Sequence, residues 1–134
     1  MNIHFAVKGL LIKNNKILIV HKADVPGDVW ELPGGRMDFG ETAEETLDRE
    51  MIEETGYDVK PVRLLDTWNF VKGKLQITGV IYLCEIIGGK FLLSKEHDKC
   101  EWINIEKESL EKLAIPFRVR MEKWDWESIL LSSS

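Results

Sequence analysis

Two β-rich apolar runs, residues 3–12 and 17–20, flank the polar tetrapeptide Lys13-Asn14-Asn15-Lys16. The pattern predicts a hairpin, because Asn tolerates the left-handed backbone of a tight turn. Residues 22–29 read as a polar loop with Pro26 and Gly27, and Trp30-Glu31-Leu32 as a short strand stopped by Pro33-Gly34-Gly35. A helix is predicted over residues 42–55. Thr42 can cap its start with Glu45 in the capping-box position, and Gly56 suits a left-handed C-terminal cap. Residues 59–70 and 75–87 read as strands around Lys72-Gly73-Lys74, and residues 100–105 as another strand. A short helix over 106–113 and a final helix from Pro116 to about residue 131 complete the chain. These elements predict an α/β (α+β) fold, a mixed sheet with two or three helices packed on it.

With 134 residues and no repeat or linker-like stretch, residues 1–134 read as one domain with one core. The net charge of −5 argues against a basic face for nucleic-acid polymers, so a polyphosphate ligand would need a local cation. The first stretch carries Lys8 inside its apolar run and has no small-residue cleavage site, so it does not read as a signal peptide. No apolar run is long enough to span a bilayer. Cys84 and Cys100 lack metal-site or CxxC spacing and read as free thiols, which suits a cytoplasmic location. His97 and Cys100 make an H-x-x-C pair, and two ligands do not make a zinc site.

The mid-chain helix carries the chemistry. Glu50, Glu53 and Glu54 fall within an arc of roughly 100°, so three carboxylates share one face. Ala43, Leu47 and Met51 form an apolar row at steps of four, and Glu54 lies near its continuation, at the edge of the core. Like charges gathered there repel, and burial raises the cost of each. A hard divalent cation with oxygen ligands relieves both penalties. The ordinary alternative is a solvated acidic face in which Arg49 and Glu53 form an i,i+4 pair.

The segment 35–57 separates these readings. It runs Gly35, five residues, Glu41, seven residues, then Arg49-Glu50-Met51-Ile52-Glu53-Glu54-Thr55-Gly56-Tyr57. This resembles the Nudix box, G-x5-E-x7-R-E-U-x-E-E-x-G-U with U a bulky apolar residue, and every fixed position matches. Tyr57 is aromatic where an aliphatic residue is usual. The preceding Leu32-Pro33-Gly34 is similar to the lead-in of MutT-type members, and the resemblance extends over about residues 3–105.

The resemblance implies a Nudix-type α/β/α sandwich and hydrolysis of a diphosphate linkage by water, with Mg²⁺ as cofactor and Mn²⁺ as a possible substitute. It implies metal ligation by Glu50 and Glu54 first, with the Gly35 carbonyl as a further donor and Glu53 as a ligand or as a base just behind the ligands. Arg49 would orient a glutamate, and Glu41 would pair with Arg49 across the loop–helix join. Glu96, six residues before Trp102, matches a downstream glutamate that MutT-type enzymes use for a second metal or as general base. Lys22 matches a phosphate-binding position, and Arg36 and Trp68 are further candidates for substrate contact. Phe39 and Tyr82 are alternative stacking surfaces for a base, while Trp124 and Trp126, two apart on one helix, should not share a face.

Family markers for ADP-ribose and for diadenosine polyphosphates are absent at Lys72-Gly73 and Lys74-Leu75. The Asn that selects oxidised guanine is absent from Leu113-Ala114-Ile115, just before Pro116. The substrate class that remains first is a nucleoside triphosphate, cleaved to monophosphate and pyrophosphate. Nucleotide sugars, dinucleotides and a catalytically silent nucleotide-binding domain are the alternatives. A homodimer is expected by family analogy alone.

Overall fold

Asn14 and Asn15 adopt φ of 53° and 60° and turn strand β1 (Asn2–Lys13) into β2 (Lys16–Lys22). The computed structural model describes residues 1–23, 25–92 and 97–133. After β2 come β3 (Trp30–Glu31), β4 (Gly34–Arg36), helix α1 (Ala43–Thr55), β5 (Tyr57–Lys72), β6 (Leu75–Gly89) and β7 (His97–Asn104). Three short helices follow, α2 (Lys107–Leu110), α3 (Ile115–Met121) and α4 (Trp126–Ser133).

The sheet is mixed, with strand order β3-β2-β1-β6-β5, β4 paired to β1 and β7 paired to β2. β1 runs parallel to β6 from Asn2↔Leu75 to Leu11↔Cys84. The other pairings are antiparallel. β1 is covered on both faces, which explains its nearly continuous apolar run. Its alternate residues serve two cores. Ala6 and Leu10 join Trp30, Ile81, Trp68 and Phe117 beneath the C-terminal helices. Val7 and Leu11 join Leu18, Leu47 and Met51 beneath α1. The α/β fold with a mixed sheet and few helices is therefore the observed one.

Two local expectations fail. Pro33-Gly34-Gly35 does not simply end a strand: Gly34 and Gly35 begin β4, pairing with Lys8 and Val7. Gly34 has φ of 136°, and a Cβ there would meet β1's backbone, with the Cα of Lys8 at 2.8 Å, so only glycine fits. The last helix is also not continuous. It breaks after Met121 and restarts at Trp126, where the Asp125 carboxylate accepts from the Ser128 amide at 3.2 Å. That side chain caps a new helix rather than extending the old one. The break brings Trp124 and Trp126 together, ring centroids 5.4 Å apart, both half-buried against the same core. Two residues that an unbroken helix would point apart thus share one surface.

Candidate active site

Helix α1 is fixed at both ends. The Glu45 amide donates to the Thr42 hydroxyl at 3.1 Å, and the Thr42 amide donates to the Glu45 carboxylate at 2.9 Å. Gly56, at φ 76°, closes the other end by donating to the Ile52 carbonyl at 2.9 Å. Leu47 and Met51 are fully buried against β1, which sets the rotation of the helix. With rotation and ends fixed, Glu54 is buried, Glu50 half-buried and Glu53 exposed.

Arg49 organises the acidic side chains. Its Nε and Nη2 donate to the two oxygens of Glu41 at 2.8 and 2.9 Å, a bidentate pair joining the loop to the helix. Nη2 also donates to the Arg36 carbonyl at 2.9 Å, and Nη1 donates to Glu50 at 2.8 Å and to Glu53 at 3.2 Å. Glu41 accepts further bonds from the Thr46 hydroxyl at 3.0 Å and the Asp38 amide at 2.8 Å. The Arg49 bonds above all, with the Asp38 amide, lower its pKa to about 2. Glu50 moves the other way. Desolvation raises its pKa, the charges of Glu53 and Glu54 add to the rise, and Arg49 opposes it.

Gly35 sits directly beneath Glu50. A Cβ on Gly35 would stand 2.7 Å from Oε1 of Glu50 and closer still to its carboxyl carbon. The missing side chain lets the carboxyl group rest against β4. The Glu50 carboxyl group and the Gly35 backbone, two residues expected from the sequence to bind metal, thus meet. Among the described residues, no three carboxylate, Cys or His side chains already converge on one point, and the Arg49 guanidinium lies between Glu50 and Glu53. Glu96 lies outside the described residues.

The substrate candidates separate by place. Lys22 Nζ is half-exposed, 3.9 Å from Oε2 of Glu31. The Arg36 residue is exposed, and its carbonyl serves Arg49. Trp68 is buried on the face away from α1, its ring 4.8 Å from that of Phe117, so no ring face is open for stacking. Phe39 is fully exposed. The Tyr82 hydroxyl donates to Glu44 at 3.4 Å. Cys84 and Cys100 are free thiols, and burial pushes Cys84 up to about 12.

One charged residue in this region was not singled out from the sequence. Lys8, at 5% exposure, lies in the core beneath the C-terminal helices, 3.5 Å from Oε1 of Glu31. The available signal was its parity with Ala6 and Leu10 in a strand buried on both faces.

The family model for the NUDIX domain matches residues 3–124. An ADP-ribose pyrophosphatase of Methanocaldococcus jannaschii is 31% identical over 112 residues, 81% of this chain and 65% of that protein. An 8-oxo-dGTP diphosphatase of Proteus vulgaris is 39% identical over 67 residues, 48% of this chain and 60% of that protein. The chain thus spans less than two thirds of the length of these relatives. The crystal structure of a MutT protein from Methanosarcina mazei Go1 superposes with a TM-score of 0.82 at 24% identity, covering 94% of this chain and 95% of that one. The chain belongs to the Nudix family. Within it, the likeness is to the MutT type.

Proposed function

We propose that the protein is a divalent-metal-dependent pyrophosphohydrolase of nucleoside triphosphates, releasing the monophosphate and pyrophosphate. The observation that carries this reading is the Glu50 carboxyl resting on Gly35, within a helix that also presents Glu53 and Glu54. The names of relatives acting on oxidised dGTP and on ADP-ribose support cleavage of a nucleoside diphosphate linkage. We extend the reading to one domain over residues 1–134 in the cytoplasm. The free thiols suit that location, and no helix among the described residues is long and apolar enough to cross a membrane.

The donor chemistry, carboxylates and a backbone carbonyl, is that of a hard cation, though the carboxylates would have to draw together around it. Glu50 carries an unfavourable desolvation that a bound cation would offset, and the Gly35 carbonyl belongs to the strand it rests on. Glu50, Glu53, Glu54 and the Gly35 carbonyl would hold Mg²⁺ or Mn²⁺, with Glu96 as a further donor. When bound, the ion supplies charge neutralisation at the phosphate oxygens and makes water a better nucleophile. The chain does the rest. Arg49 holds Glu50 at a fixed place and keeps the 36–41 loop against the helix. Glu53, the most exposed of the three acids, would take the proton from attacking water if it is not itself a ligand. Lys22 and exposed Arg36 offer positive charge for the phosphate chain.

A product-resolved screen of nucleoside triphosphates, nucleotide sugars and dinucleotides with Mg²⁺ or Mn²⁺ tests the reading. Triphosphate cleavage to monophosphate and pyrophosphate, abolished by chelator, is the expected result. Cleavage confined to nucleotide sugars or dinucleotides would replace the substrate class, and silence across the panel would replace the enzyme by a binding domain.

A further inference from the structure

The core beneath the C-terminal helices is apolar except at one place. Ala6, Lys8 and Leu10 point into it from β1, and the Lys8 ammonium lies 5.9 Å from the ring centre of Trp68 and 5.6 Å from that of Phe117. Its one carboxylate partner among the described residues is Glu31, at a long 3.5 Å. Trp68 is 6% exposed, and its Nε1–H has no acceptor among the described residues. Buried donors are almost always satisfied, and a desolvated ammonium is costly even when paired. A merely structural core would place a methionine at Lys8 and a phenylalanine at Trp68 at lower cost. Two N–H donors thus lie in one buried, aromatic-walled layer, where an oxygen acceptor would satisfy the indole and offset the ammonium's desolvation.

The position of this layer gives the acceptor's identity. Lys8 pairs with Gly34, one residue before the glycine under Glu50, while its neighbour Val7 faces α1. The cluster therefore lies just through the sheet from the carboxylates. Glu31 connects it outward, with one oxygen toward Lys8 and the other 3.9 Å from half-exposed Lys22. Because Glu31 bridges Lys8 and Lys22, a nucleotide whose phosphates meet Lys22 is the ligand nearest this cluster. We propose that the Lys8 ammonium and the Trp68 indole N–H read an exocyclic carbonyl on the nucleobase. The site would then favour keto bases, such as guanine through O6 or uracil through O4, over adenine, whose amino group would face two donors. Glu31 acts as the positioning residue for Lys8. This inference rests on the proposed nucleotide substrate.

The test is equilibrium binding of GMP, UMP and AMP in Mg²⁺ by calorimetry, with GTP, UTP and ATP turnover measured alongside. GMP and UMP are expected to bind the wild-type protein at least tenfold more tightly than AMP. Trp68→Phe, which keeps a ring beside Phe117 and deletes one N–H, and Lys8→Met, which keeps the volume, should each shrink that ratio at least fivefold. AMP affinity should stay within twofold. Preference for GMP alone or UMP alone, collapsing in the variants, narrows the base and supports the assignment. Equal binding, tighter AMP binding, no binding, or an unchanged ratio in folded Trp68→Phe overturns it. If Lys8→Met does not fold, Trp68→Phe still decides. A keto-base preference without turnover of any triphosphate would sink the enzyme reading alone; turnover without base preference would sink this one alone.

Discussion

Glu50 occupies the space in which a side chain on Gly35 would have to stand, so the two residues define each other. The group that would collide is the far end of a flexible side chain. A methyl at Gly35 would therefore push the carboxyl group aside without breaking the backbone. Gly35→Ala should leave the melting temperature within a few degrees of wild type. Pyrophosphohydrolase kcat/KM should fall about a hundredfold, the usual consequence of misplacing a catalytic group by about 1 Å. Full activity in a folded Gly35→Ala protein would remove Glu50 from the site.

The carboxylates should be separable from the fold. Glu54→Gln and Glu50→Gln should each lower turnover by about 10² to 10⁴, with circular dichroism unchanged. Chelation should abolish turnover and added Mg²⁺ restore it. Either variant retaining near wild-type turnover would contradict the ligand assignment.

Arg49 opposes the rise in the Glu50 pKa, so its removal has a signed consequence. Arg49→Ala should raise that pKa further and move the acid limb of the kcat/KM–pH profile to higher pH. Arg49→Lys keeps the charge but not the fork that grips Glu41 in two places, and should lose tenfold or more in turnover. An acid limb that stays in place in Arg49→Ala would show that Glu50 does not govern it.

Glu41 has a folded pKa of about 2 against an ordinary 4.5, so folding favours its charged form. Its contribution to stability is therefore fully present above pH 4.5 and is lost as pH falls toward 2. Thermal melts should show Glu41→Gln below wild type by several degrees at pH 7, with the gap narrowing as pH falls from 4.5 toward 2. A pH-independent gap would mean that Glu41 stabilises by packing rather than by charge.

Asp66 ties β5 to the C-terminal helices. It accepts from Trp124 Nε1 at 2.7 Å and from the Arg120 guanidinium. Burial raises its pKa, but the bonds from Arg120 and Trp124 outweigh that, and the net shift is downward. Asp66→Ala should cost about 2 kcal/mol, the scale of lost bonds to a charged group. Chemical denaturation reads this, and turnover per folded molecule should not change. A loss of turnover at full stability would place Asp66 in the active site instead.

What the sequence revealed follows range along the chain. The capping box of Thr42 and Glu45, the Gly56 terminus and the Asn14-Asn15 turn are decided within a few residues, and each formed as its local chemistry dictates. The Arg49–Glu41 pair was legible because the box spacing fixes both residues. β4 was not, because Pro-Gly-Gly reads as punctuation, while its pairing with Val7 and Lys8 is made across 28 and 26 positions. The break before α4 had a local signal in Asp125 and Ser128, masked by the helical pattern on either side. Lys8 was passed over because a lone lysine in an apolar strand acquires meaning only once Glu31, Trp68 and Phe117 are beside it.

The parallel pairing of β1 with β6 also governs how the protein is made. The ribosome releases the first strand, the loop glycine and the acidic helix well before residues 75–84 exist to close β1's second edge. Until then that strand offers a row of unsatisfied amides and carbonyls to any neighbouring chain. A nascent chain halted after Tyr57 would carry every box residue and be a seed for aggregation rather than an enzyme.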